Sequence, residues 1–125
     1  MFWIIIFCML FCIFLCKTFI ILEICGDSMY PTLKNGEYYL AIKTLHLISP
    51  AKLGKIYAAK LPKECVKNHE WVIKRVTNYD SSNSMVYLKG DNKDNSYDSR
   101  SFGCISMDCL KYRILFKVWG GNKND

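Results

Sequence analysis

The 125-residue chain contains no CxxC pair, only two histidines, and no block of like charge. The missing CxxC and the absence of any metal-ligand rhythm among the seven cysteines leave no basis for a cysteine-built metal or redox centre. The net charge of +6 comes from basic residues scattered singly among acids and aromatics, which excludes the stripe or cluster that marks nucleic-acid binding. That charge fits a domain lying against an anionic membrane, where each Lys or Arg close to the lipid contributes about 1 kcal/mol. No internal repeat, low-complexity segment or long amphipathic helix interrupts the chain after its leading segment, so one domain is expected.

The leading segment is what the chain has in abundance. From Phe2 to Leu22 every residue is apolar or cysteine except Lys17 and Thr18. A helix of this length would reach about 31 Å, enough for a bilayer core. It lacks the basic start and the Ala-x-Ala end of a cleaved secretory signal, so residues 1–22 are expected to form an uncleaved transmembrane anchor. Cys8, Cys12 and Cys16, four apart, read as small packing residues on one helix face. Lys17 sits where it can snorkel toward an interface, at the end nearer the rest of the chain. Lys17, Lys34 and Lys43 all follow the apolar core, so the positive-inside rule points weakly against an extracytoplasmic domain, and sidedness must be argued from function.

After the anchor the hydrophobic pattern breaks into strand-length pieces at Glu37 to Ile42, Lys55 to Lys60, Glu70 to Val76, Met85 to Lys89 and Tyr112 to Trp119. Turn chemistry separates them, as at Lys34-Asn35-Gly36, Ser49-Pro50, Leu61-Pro62 and Asp80 to Asn83. A mainly β domain over residues 23–119 is therefore predicted, with a disordered tail at 120–125. Cys104 and Cys109 could pair across a loop in an oxidising compartment, which their spacing does not decide.

Three segments carry candidate chemistry. In Gly26-Asp27-Ser28-Met29-Tyr30-Pro31-Thr32-Leu33, Ser28 is either an ordinary loop residue or a nucleophile held just beyond the anchor, with its own N–H aimed at the same carbonyl. In Glu70 to Val76, period-two alternation puts Lys74 on the face of Val72 and Val76. It is either a snorkelling lysine at a sheet edge or a buried amine whose lowered pKa suits a general base. The run Gly90-Asp91-Asn92-Lys93-Asp94-Asn95-Ser96-Tyr97-Asp98-Ser99-Arg100 fails as a calcium loop, because Ser occupies the sixth-position glycine and Phe102 or Ile105 the bidentate glutamate. What remains is a dense turn with a hydroxyl at Ser96 and an Asp98 to Arg100 pair able to orient a neighbouring lysine.

Taken together and in this order, the three segments resemble the sequence boxes of the type I signal peptidase family. Ser28 to Leu33 is similar to the nucleophile box and Ile73-Lys74-Arg75-Val76 to the general-base box. Gly90 to Arg100 matches the pattern Gly-Asp-Asn-x-x-x-Ser-x-Asp-Ser-Arg throughout. The resemblance implies a Ser28–Lys74 dyad on coiled antiparallel sheets, tethered by an amino-terminal helix and cutting signal peptides from exported preproteins. It further implies that Ser96 hydrogen-bonds Lys74, that Asp98 and Arg100 support the site with Gly90 close by, and that the Ser28 N–H is an oxyanion donor. Gly26 stands where some members carry a serine, which removes a second donor. No metal or cofactor is implied, and the substrate would bind extended, as an added strand.

Lys74 occupies a place where endoplasmic-reticulum members carry histidine, and His46 and His69 lie outside the match, so the resemblance implies a bacterial plasma membrane or an organellar inner membrane. The domain would face away from the cytoplasm. Only 23 residues separate Lys74 from Asp98, a minimal form that is also similar to mitochondrial inner-membrane, pilin-processing and single-substrate maturation peptidases. The competing expectations are a self-cleaving repressor, which would need a DNA-binding domain in place of the apolar segment, and an inactive membrane adaptor, which would not need all five polar site residues. Oligomeric state is not legible.

Overall fold

A computed structural model describes residues 1–45 and 50–120. Helix α1 (Phe2–Thr18) leads into strand β1 (Phe19–Glu23), followed by β2 (Tyr38–Lys43), β3 (Ile56–Lys60), β4 (Trp71–Asp80) and β5 (Met85–Lys89). A short helix α2 (Ser99–Phe102), β6 (Ile105–Ser106) and β7 (Leu110–Trp119) complete it. The strands form one seven-stranded sheet in the order β1-β2-β7-β3-β4-β5-β6, with every pairing antiparallel. The long closing strand β7 inserts between β2 and β3, so the two halves of the sheet are joined by the last element of the chain.

The apolar segment divides where the sequence reading kept it whole. The helix covers 17 residues and stops at Thr18, whose hydroxyl turns back to the Phe14 carbonyl at 2.8 Å. At 1.5 Å per residue it is about 25 Å long, and among the described residues no helix is long and apolar enough to cross a membrane. The reason is competition for Phe19 to Glu23. These residues pair with β2 from Phe19↔Ile42 to Glu23↔Tyr38, and β-branched Ile20 and Ile21 favour a ladder over another helical turn. None of the α1 residues is buried.

The predicted strands at 37–42, 55–60, 70–76, 85–89 and 112–119 all form, within a few residues of their expected ends. Strand β4 runs on to Asp80 through a bulge between Val76 and Asn78, and its carboxylate closes the hairpin by accepting from Ser82 and Asn83. Two cores result. The larger gathers Tyr57, Val76, Val86, Leu88, Ile105 and Leu110 around the β3–β4–β5 side. The smaller holds Ile24, Met29, Leu33 and Tyr39 beneath the turn after β1. Cys104 and Cys109 are separate free thiols, one exposed and one half-buried. Residues 121–125 of the expected tail, and His46 to Ser49, lie outside the described residues.

Candidate active site

The turn carrying Ser28 is pinned from below. Ile24, Met29 and Leu33, each no more than 4% exposed, plug into the smaller core on both sides of it, and the Leu33 N–H bonds the Met29 carbonyl at 3.0 Å. Gly26 adopts φ +92°, a left-handed conformation that a side chain would strain, and its N–H donates to Asn35 Oδ1 at 2.8 Å. The Gly26 amide is therefore committed. No acceptor among the described residues takes the Ser28 N–H.

Strand β4 delivers the amine. The expected alternation holds, with Lys74 4% and Val76 0% exposed and Val72 packed against the same core. Lys74 Nζ donates to Ser28 Oγ at 2.6 Å. Burial pushes its pKa from the ordinary lysine value of 10.5 down to about 8. The Asp98 carboxylate opposes that shift, and Arg100 adds to it.

The loop after β5 locks the other two segments together. The Asn92 N–H donates to the Ser28 carbonyl and its side-chain amide to the Asp27 carbonyl, both at 3.0 Å. At Gly90 a Cβ would come within 2.6 Å of the Ser28 carbonyl and would also collide with the Ser96 side chain, so only glycine permits this approach. Asp98 is fully buried and accepts five hydrogen bonds, from the Gly90 and Arg100 N–H groups, Ser96 Oγ, and Arg100 Nε and Nη2. Burial by itself would raise its pKa, but the Arg100 guanidinium and the other donors hold it far below the usual carboxylate range. The predicted Asp98–Arg100 pair is present at 2.8 Å.

One expectation is revised. Ser96 donates to Asp98 at 2.8 Å, and Lys74 makes its hydrogen bond to Ser28 and not to Ser96. The Ser96 proton goes to the fully buried Asp98 carboxylate, a charge-assisted bond. Arg75, which alternation places on the face opposite Lys74, also holds the site together. Its guanidinium grips Asp91 through two bonds of 2.9 and 2.6 Å and reaches the Gly54 carbonyl, while Thr32 Oγ1 donates to the same carboxylate at 2.5 Å. The clamp thus ties the serine turn, β4 and the third segment at one carboxylate. Pairing with Arg75 lowers the Asp91 pKa. Nothing in the spacing of these residues marks it.

Ser28 and Lys74 open onto a groove of about 570 Å³. Ile24, Met29, Ala58, Val72 and Ile73 give it apolar surface, and Lys67, His69, Asn95 and Tyr97 line a polar part. His69, outside the sequence match, is brought to this groove by the β3–β4 connection.

The arrangement sets a hydroxyl and an amine in hydrogen-bond contact at the wall of an open, largely apolar groove on a β scaffold. Residues 1–79 match the family described as "Signal peptidase, peptidase S26", and the chain belongs to that family. It is 33% identical over 112 residues to "Mitochondrial inner membrane protease subunit 1" of Xenopus tropicalis, covering 75% of this chain and 65% of that protein. It is 30% identical to the Homo sapiens and Schizosaccharomyces pombe proteins of the same name, over 75% of this chain in both cases and 66% and 69% of theirs. The chain thus spans about two thirds of the length of these relatives.

Proposed function

We propose that this protein is a membrane-bound serine endopeptidase that removes amino-terminal signal peptides from translocated precursors, with Ser28 as nucleophile and Lys74 as general base. The observation that carries the reading is the 2.6 Å bond between a buried lysine amine and a half-buried serine hydroxyl at the wall of a groove. Neutral Lys74 takes the Ser28 proton as Oγ attacks the scissile carbonyl, and the free Ser28 N–H stabilises the oxyanion. The protonated lysine then gives its proton to the leaving amine, and the neutral amine activates the water that releases the acyl group. Asp98 and Arg100, joined by Ser96 and Gly90, hold the loop against the serine turn and set the field at the amine.

Membrane association is supported by the unburied α1, apolar or cysteine throughout except Lys17 and Thr18, and by the sheet face that follows it. The register aligns Ile21 with Leu40 and Phe116, and Tyr38 with Trp119, and three of these large side chains are more than half exposed. We place the domain on the face where translocated precursors emerge. The relatives' name favours an organellar inner membrane. The test is incubation of detergent-solubilised protein, and of Ser28→Ala, with precursors of inner-membrane and secreted proteins, followed by amino-terminal sequencing. Ser28-dependent release of a mature amino terminus supports the proposal. Cutting of generic precursors after Ala-x-Ala would point to the housekeeping role, and cleavage that persists in Ser28→Ala would refute the mechanism.

A further inference from the structure

The groove does not end at the dyad. On β4 the alternation that buries Lys74 turns Ile73 and Trp71 to the opposite face, and the register extends that face across the sheet. Ile73 pairs with Ala58, Ala58 with Tyr112, and Tyr112 with Lys43, while Trp71 pairs with Lys60 on the adjoining rung. Ile73, Ala58 and Trp71 line the groove beside Ser28. Trp71 and Tyr112, with ring centroids 6.4 Å apart, also line a second cavity of about 550 Å³ together with Lys43, Lys60 and Lys111. One indole therefore belongs to both, and a chain lying in the groove runs over it into a pocket ringed by lysines. Among the described residues Lys43 and Lys111 form no ion pair. Lys60 pairs with Glu70 at 3.3 Å with both side chains about half exposed, a weak contact that a competing carboxylate can replace. Asp108 is the acid lining the pocket.

Resting on the peptidase reading, we propose that this lysine-lined cavity is a distal subsite that takes an acidic side chain of the substrate. Trp71 is three residues from Lys74, about 10 Å along an extended strand. A peptide running parallel to β4 would thus place its acid roughly three to five residues from the scissile bond. Exposed charge contacts of this kind act on encounter and binding more than on chemistry, so the signal belongs in KM.

The experiment uses the full chain in detergent and one precursor-derived peptide shown to be cut in a Ser28-dependent way. Each residue within six positions of the bond is replaced in turn by Glu, Gln or Lys. At one position three to five residues from the bond, Glu should lower KM roughly five-fold relative to Gln and Lys should raise it, with kcat little changed and the preference shrinking as salt rises. Lys60→Glu and, independently, Lys111→Gln should reduce the Glu-to-Gln ratio, a within-variant comparison that loss of folded protein does not move. Equal KM for Glu, Gln and Lys throughout, or a preference untouched by both variants, overturns the subsite. If the variants instead weaken flotation with phosphatidylglycerol-containing vesicles and leave peptide preference alone, the pocket binds lipid headgroups and the proposal is wrong. Absence of Ser28-dependent cleavage of any peptide overturns the peptidase reading and the subsite with it.

Discussion

Replacing Lys74 by Met should abolish cleavage and yet make the protein more stable at neutral pH. The amine is 4% exposed and burial lowers its pKa from 10.5 to about 8, so holding it protonated in the fold costs about 3 kcal/mol at 1.4 kcal/mol per pKa unit. The folded-state value lies below the unfolded one, which sets the sign. Below pH 8 both states are protonated and the full penalty is present. Between about 8 and 10.5 the folded state releases its proton first, and stability rises with pH until the penalty is gone. Met matches the length and fills the site without charge, so at pH 7 the variant should gain up to about 3 kcal/mol, less the net ~1 kcal/mol of the lost bond to Ser28. For a domain of this size a net gain of 2 kcal/mol is about 8–16 °C in melting temperature. Catalysis carries the other side. At pH 7 roughly a tenth of the lysine is neutral, against about three parts in ten thousand for an unperturbed one, a roughly 300-fold larger share of competent base. Wild-type kcat/KM should accordingly rise about ten-fold per pH unit below 8 and level off above it. Thermal melts of both proteins at pH 7 and pH 10, with the activity profile, test this. A Met variant that is less stable at pH 7 by an amount independent of pH, or that still cuts, would refute the argument that the fold holds this amine as a strained base.

Lys74→Arg keeps the charge but cannot deprotonate, so turnover should vanish in folded protein, which a discontinuous assay paired with circular dichroism would establish. Ser96→Ala removes one of the five hydrogen bonds to Asp98; stability should fall by about 1 kcal/mol, and turnover by less than ~10-fold, smaller than if Ser96 held the lysine directly. Arg75→Lys breaks the two-bond grip on Asp91 and should cost about 1–2 kcal/mol by denaturant titration. Because Asp91 is lowered in pKa, the wild-type advantage of that clamp should be present at neutral pH and fade as the solution becomes acidic enough to protonate it. Gly90→Ala drives a methyl group into the Ser28 carbonyl and Ser96, so it should lose turnover more than ~100-fold while the sheet survives, since the displaced atoms are those that aim the nucleophile.

Much of this protein was legible in its sequence because the determinants are local. Period-two alternation and turn residues mark β2, β3, β4, β5 and β7, since a strand's facing is decided within a few residues. The same alternation buries Lys74 with Val76, and the hydroxyl, amine and carboxylate segments sit in short contiguous stretches whose order survives any folding. The tertiary structure decided what depends on partners distant in sequence. Phe19 to Glu23 left the helix because β2 offered a ladder. Strand β7 entered between β2 and β3, a choice no local pattern encodes. Ser96 gives its hydroxyl proton to Asp98 because that carboxylate, brought there by the fold, is fully buried and must be satisfied by protein donors. Asp91 gathers Arg75 and Thr32 across separations of 16 and 59 residues, and His69 reaches the groove only through the path of the β3–β4 connection. Alternation says which way a side chain faces; only the packing of one strand on another says what it meets there.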